Sequence, residues 1–168
     1  MLVNEIDRVK EGAGNSNKQF GMLKVDFVVD CNGNAGEVLA RAKEVLLSVL
    51  QTTVGGWPEL QQWKVVIPNW FFNTFSIEMT DEEALEWLEG WRAMSLKQRI
   101  VAEQEKGWSF SNWIGWFSPN ERCWYWWDAS IKNANTISVT VLSKGSPSSF
   151  GALRWLFVAC GANSMDEV

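Results

Sequence analysis

The run Arg122-Cys123-Trp124-Tyr125-Trp126-Trp127-Asp128-Ala129-Ser130-Ile131, followed by Lys132-Asn133-Ala134-Asn135 and then Thr136-Ile137-Ser138-Val139-Thr140-Val141-Leu142, decides the fold class. Aromatic and β-branched residues on either side of a short polar break mark two antiparallel strands joined by a hairpin. In the first, a period of two puts Trp124 and Trp126 on one face and Tyr125 and Trp127 on the other. A strand aromatic on both faces is expected mid-sheet, covered from both sides.

Upstream, Met22–Val29 alternates as a strand, with Leu23, Val25, Phe27 and Val29 sharing a face. Asn32-Gly33-Asn34 breaks it and offers a helix N-cap. Residues 36–51 then form an amphipathic helix: Val38, Leu39, Ala42, Val45, Leu46, Val49 and Leu50 make its apolar stripe. Gly55-Gly56-Trp57-Pro58 turns the chain, Trp63–Ile67 reads as a second strand ending near Pro68, and the aromatic-rich 69–77 as its continuation through a bulge.

Thr80-Asp81-Glu82-Glu83 is a capping box opening a helix with an inner face of Ala84, Leu85, Trp87, Leu88 and Trp91. Ser95-Leu96-Lys97-Gln98 opens a second, closed by Gly107. Trp108-Ser109-Phe110 alternates again and enters the C-terminal strands. Ser146-Pro147 places an N-cap and an N1 proline before a last helix that is apolar nearly all round, closed by Gly161.

The expected architecture is α+β: a mostly antiparallel sheet with a C-terminal three-strand meander and helices packed on one face. Residues 1–19 read as a polar, flexible lead-in with a loose helix before the Gly12–Asn17 linker. Residues 20–163 form one domain, and 164–168 a short tail.

Composition narrows the function. The chain has 168 residues, 46% apolar and 21% charged, enough for one domain with its own core. Fifteen bases against 20 acids give a net charge of −5, with no basic cluster, which argues against nucleic acid and anionic membranes as partners. No stretch reaches the roughly 18 uninterrupted apolar residues of a membrane helix. The N-terminus lacks the apolar core of a signal peptide. The three cysteines, Cys31, Cys123 and Cys160, read as reduced thiols in a cytoplasmic protein. No histidine is present, which removes Ser-His-Asp and Cys-His catalysis and imidazole metal sites. No Gly-rich phosphate loop is recognisable. Neither a cofactor, a metal nor an enzymatic activity is expected.

Two features remain. Twelve residues are tryptophan, eight of them between Trp87 and Trp127. Tryptophan needs both a covering for its ring and an acceptor for its N–H, so such a density is core, binding surface or both. Trp57, Trp70 and Trp108, beside glycine, proline or asparagine in loops, are the candidates for exposure. The second feature is a run of six acids, Glu78, Asp81, Glu82, Glu83, Glu86 and Glu89, with no base among them. The helix dipole accounts for the first-turn acids. Glu82, Glu86 and Glu89 make one outer stripe, with Glu86 and Glu89 beyond the first turn.

The leading expectation is therefore a non-enzymatic, bacterial-type protein that binds a basic protein partner in an immunity-like or inhibitor-like role. Its contacts would come from Glu82, Glu86, Glu89, Trp57, Trp70 and Trp108. The alternative is a small-ligand or carbohydrate-binding module whose pocket is lined by Trp113, Trp116, Trp124 and Trp126. A homodimer burying a spare aromatic face is a third possibility.

Overall fold

Among the described residues, 2–14, 21–145 and 149–168, the computed structural model contains four strands and eight helices. The strands are β1 (Leu23–Asp30), β2 (Trp124–Asn133), β3 (Thr136–Ser143) and β4 (Ser164–Glu167). They pair antiparallel in the order β2-β3-β1-β4, so the α+β class and the antiparallel sheet are as the sequence implies. The hairpin closes with Asn133 opposite Thr136. The third strand in the sheet is β1, from the N-terminal half, and the expected tail at 164–168 supplies β4.

Strand β2 lies at the edge of the sheet, not in its middle. Aromatic residues on both faces report that both faces are covered, which is a separate matter from having two hydrogen-bonded neighbours. Part of the cover comes from helix α1 (Leu2–Glu11), where a flexible lead-in with a loose helix was expected. Ile6 and Val9 enter the main core, while Ala13, just beyond the helix, packs with Met22, Trp127, Leu142 and Tyr125 on the opposite face. The linker positions 15–17 lie outside the described residues.

Helix α1 also satisfies the exposed backbone of this edge. The fully buried Glu5 carboxylate accepts the Trp126 N–H at 2.6 Å, and Arg8 Nε donates to the Trp126 carbonyl at 3.0 Å. Glu5 also receives the Arg122 guanidinium at 2.5 Å, an ion pair buried on both sides. An unpaired edge invites pairing with other chains, and here two side chains from α1 block it at Trp126. The Arg8 guanidinium is held below its ordinary pKa chiefly by desolvation, against the pull of Glu5.

Helix α2 (Ala35–Thr53) follows its sequence pattern: Val38, Leu39, Ala42, Val45, Leu46, Val49 and Leu50 are all buried. Asn34 occupies its N-cap position without making a cap bond; its side chain accepts from Asn32 N–H and donates to the Gly161 carbonyl. Helix α8 (Gly151–Ala159) packs beside α2, burying Ala152, Leu153, Leu156 and Phe157, and Phe157 stacks on Trp126 at 6.2 Å. The cap expected at Ser146-Pro147 lies outside the described residues. Phe27, Val29, Ile137, Val139, Val141, Trp124 and Trp126 complete this core from the sheet.

The two expected middle strands are helices. Residues 63–66 lie in α3 (Leu60–Val66), with Ile67 as its C-cap, and Glu59 and Gln62 form a reciprocal capping box at its start. Trp63 and Ile67, four apart, point inward, while Val65 is 84% exposed, a helical rather than an alternating division. Segment 69–77 forms α4 (Asn69–Phe72) and a turn. Trp108-Ser109-Phe110 is not a strand either: Ser109 caps α7 (Phe110–Gly115) by accepting the Asn112 N–H at 3.3 Å.

Helices this short do not stand alone in water. What holds α3, α4 and α7 is a cluster of buried rings, Trp63, Phe71, Phe110, Trp113 and Phe117. Each fully buried ring of this size contributes roughly 2–3 kcal/mol. Trp113 is its centre, with Phe71, Phe75, Phe110 and Phe117 at 4.8–6.1 Å and its indole N–H bonded to the Ala152 carbonyl.

Candidate docking surface

Between α4 and α7 the chain leaves the body and returns, and its two ends are pinned together. Ser76 donates its backbone N–H to the Trp108 carbonyl at 2.8 Å and pairs with Ser109 in an isolated parallel bridge. Glu78 accepts the Ser111 N–H at 2.9 Å, at the start of α7 where a carboxylate is favoured. Residues 79–107 between these pins form an arm of two helices, α5 (Asp81–Arg92) and α6 (Leu96–Lys106).

Both helices begin where the sequence places them. Thr80 accepts the Glu83 N–H, and its hydroxyl donates to the Glu83 carboxylate, so half of the expected box forms. Ser95 and Gln98 make the reciprocal pair in full. Gly107, at φ +66°, ends α6 in a conformation that side-chain-bearing residues rarely adopt.

The inner face expected of α5 does not reach the core. None of Ala84, Leu85, Trp87, Leu88 and Trp91 is buried, and no described residue of α6 is buried either. Trp87 and Trp91 lie against each other at 6.5 Å and are flanked by cations from α6. Arg99 sits 4.3 Å from the Trp91 ring centre, and Lys106 Nζ sits 4.2 Å from that of Trp87. Arg99 also donates to the Trp91 and Arg92 carbonyls, closing the C-terminal end of α5. The arm is thus held by caps and by two cation–π contacts, each worth about 0.5–1 kcal/mol at such exposure.

Apolar side chains consequently remain in the open. Leu96 is 75% exposed, Ile77 at the arm's root is 91% exposed, and Leu85, Ile100 and Val101 are each about half exposed. Glu82, Glu86 and Glu89 are exposed on α5, and no ion pair among the described residues involves that helix. One arm therefore carries both an acidic stripe and uncovered apolar residues.

The loop tryptophans disperse. Trp57 lies edge-on to the buried Trp63 at 5.4 Å, and Trp70 carries Arg41 over its ring at 5.5 Å; both are about two-fifths exposed. Only Trp108 meets the arm, in an open groove of about 510 Å³ shared with Trp87, Glu103, Lys106, Gly107 and Trp155. Of the alternative pocket set, Trp113, Trp124 and Trp126 are buried and present no ring face to a ligand. Trp116 alone is partly open, in a shallow groove of about 440 Å³ with Trp57.

Sequence reasoning missed Arg99, Lys106 and Trp155 as parts of this surface. The spacing from Trp87 to Lys106 becomes informative only once the two helices are known to fold back on each other. Burial raises the Cys31 thiol and pushes Cys160 up to about 12, which holds both in the unreactive protonated form, and Cys123 donates its thiol proton to the Ser149 carbonyl. Among the described residues no cluster of ligands for a metal ion is present, and no helix is long and apolar enough to cross a membrane. No family model, curated protein or solved structure matches this chain.

Proposed function

We propose that this is a non-enzymatic, cytoplasmic binding protein that docks a basic protein partner through the α5–α6 arm, in an immunity-like or inhibitor-like role. The observation that carries this reading is that an amphipathic helix pair projects with no buried side chain among its described residues, its apolar residues beside an uncompensated acidic stripe. Uncovered apolar side chains of this extent mark interaction surfaces, and unpaired acids steer oppositely charged partners toward them. Leu85, Leu96 and Ile100 supply the area to be desolvated, and Glu82, Glu86 and Glu89 the long-range attraction. Blocking a partner needs recognition alone, which suits a chain without histidine.

A photo-cross-linking residue placed at Leu85, in cells that naturally make the protein, tests this. The expected product is an adduct with one basic protein, absent when the residue is placed at Ser130 on the sheet. Glu82→Lys, Glu86→Lys and Glu89→Lys together should slow adduct formation at least about tenfold and flatten its dependence on salt. Equal labelling from Leu85 and Ser130, adducts of the protein only with itself, or an unaffected triple variant would overturn the reading.

A further inference from the structure

We propose that the groove between arm and body receives an alkylammonium group, carried by the basic partner inferred above; the identity of the carrier rests on that reading, the groove itself does not. Three tryptophans from three elements converge there: Trp87 from α5, Trp108 from the arm's root and Trp155 from α8. All three are partly open; Trp87 already has Trp91 and the Lys106 ammonium against its ring, so an incoming group meets chiefly Trp108 and Trp155 unless it displaces Lys106. Gly151 favours the arrangement, because a Cβ at that position would stand 3.3 Å from the Trp108 ring, which would have to give by a few tenths of an ångström.

The class of ligand follows from charge. Indole faces carry the negative side of the ring quadrupole and are the best aromatic acceptors of a cation. Glu103 adds a carboxylate to the same wall. An anion would meet negative potential from each of these. A purely apolar ligand would gain nothing from the exposed Glu103 carboxylate, whereas a cation would be attracted to it. The groove already holds one ammonium, that of Lys106, on the face of Trp87. No cation among the described residues lies over Trp108 or Trp155. Lys106 is thus an internal occupant of part of the groove, and an incoming ammonium must displace it or share the site against its repulsion.

The experiment is a titration of the intact protein with choline and with its neutral tert-butyl isostere, following the indole N–H signals by NMR. Choline should shift the signals of Trp87, Trp108 and Trp155 saturably, and the isostere should bind at least about threefold more weakly. Glu103→Gln, at an exposed position, should weaken choline about threefold, and Lys106→Gln should tighten it by a similar factor. Equal binding of the isostere, or no saturable shift in either the natural protein or Lys106→Gln, would overturn the proposal. A trimethyllysine peptide that binds more tightly than choline supports a protein-borne ammonium; a peptide that fails where choline binds overturns that source and leaves the groove. The charge reversals at Glu82, Glu86 and Glu89 lie outside the groove and should leave the choline titration unchanged. Failure of the partner and failure of the groove are therefore read separately.

Discussion

Trp113 and Trp87 are the same residue with opposite fates. Trp113 is fully buried, ringed by four phenylalanines, and its N–H is satisfied by a carbonyl. Trp87 is half-open, with another tryptophan on one side and a lysine ammonium on the other. Around Trp113 the sequence supplies Phe71, Phe75, Phe110 and Phe117, which exclude water together. Around Trp87 it supplies Glu83, Glu86, Glu89 and Trp91, which do not. Ring density alone does not decide between core and surface; the apolar partners of each ring do.

The sharpest way to break this contrast is Trp113→Ala. Deleting a fully buried ring costs about 3–5 kcal/mol, and the Ala152 carbonyl loses its donor as well. Thermal unfolding should shift down by roughly 10 °C. Cys160 supplies an independent readout. With its thiol pushed up to about 12 by burial, on the order of one part in ten thousand is thiolate at about pH 8, so alkylation waits for the body to open. Trp113→Ala should accelerate Cys160 labelling at least about a hundredfold, whereas Trp87→Ala should leave it unchanged. Equal acceleration by both would show that arm and body unfold as one unit.

Next in size is Glu5, on the rim of the body. Glu5→Ala strands Arg122 and Arg8 in the interior and opens the Trp126 N–H, for about 3 kcal/mol. Glu5→Gln keeps an acceptor for Trp126 and loses only the charge, so it should fall between Glu5→Ala and the natural protein in urea midpoint. A Glu5→Ala variant as stable as the natural protein would mean that α1 does not guard the sheet edge.

The same contrast shows what was legible in the sequence. Elements with a clean period were: the stripe Val38–Leu50, the hairpin about Asn133 and Asn135, and the helix starts at Thr80 and Ser95. Trp63–Ile67 reads equally as a strand because residues four apart share a face in a two-residue period as well as in a helix, and Val65-Val66-Ile67 is β-branched. The deciding signal was Glu59 with Gln62, a capping box whose N-cap is an acid rather than a hydroxyl. The position of Trp124–Trp127 at the edge was hidden because the covering helix lies more than a hundred residues away, and Glu5, Arg8 and Arg122 have no spacing that links them. For the site, the acidic stripe was visible, but the groove was not. Trp87, Trp108 and Trp155 meet only through the return of the arm, and local periodicity carries no information about that.

Smaller effects belong to the arm. Arg99→Ala removes the cation over Trp91 and the two bonds to carbonyls at the end of α5, costing about 1 kcal/mol locally. Hydrogen exchange should then quicken in α5 and α6 while the amides of β1 and β3 keep their protection. If the sheet amides quicken equally, the arm is part of the body's cooperative unit.

The smallest expected change is also the most telling. Leu85→Gln, Leu96→Gln and Ile100→Gln together remove three apolar side chains, a set that would be ruinous in the body. At half-exposed to mostly exposed positions each should move stability by no more than about 0.5 kcal/mol, and the melting temperature should stay within a few degrees. Self-association at high concentration should fall, because the substitutions shrink the open apolar surface. Residues that cost nothing to the fold when made polar are not retained for packing. If the triple variant melts as the natural protein does and loses the cross-linked partner, the apolar side of the arm serves recognition. A large loss of stability would instead mean that Leu85, Leu96 and Ile100 are the arm's own core, and the contrast with Trp113 would be one of degree.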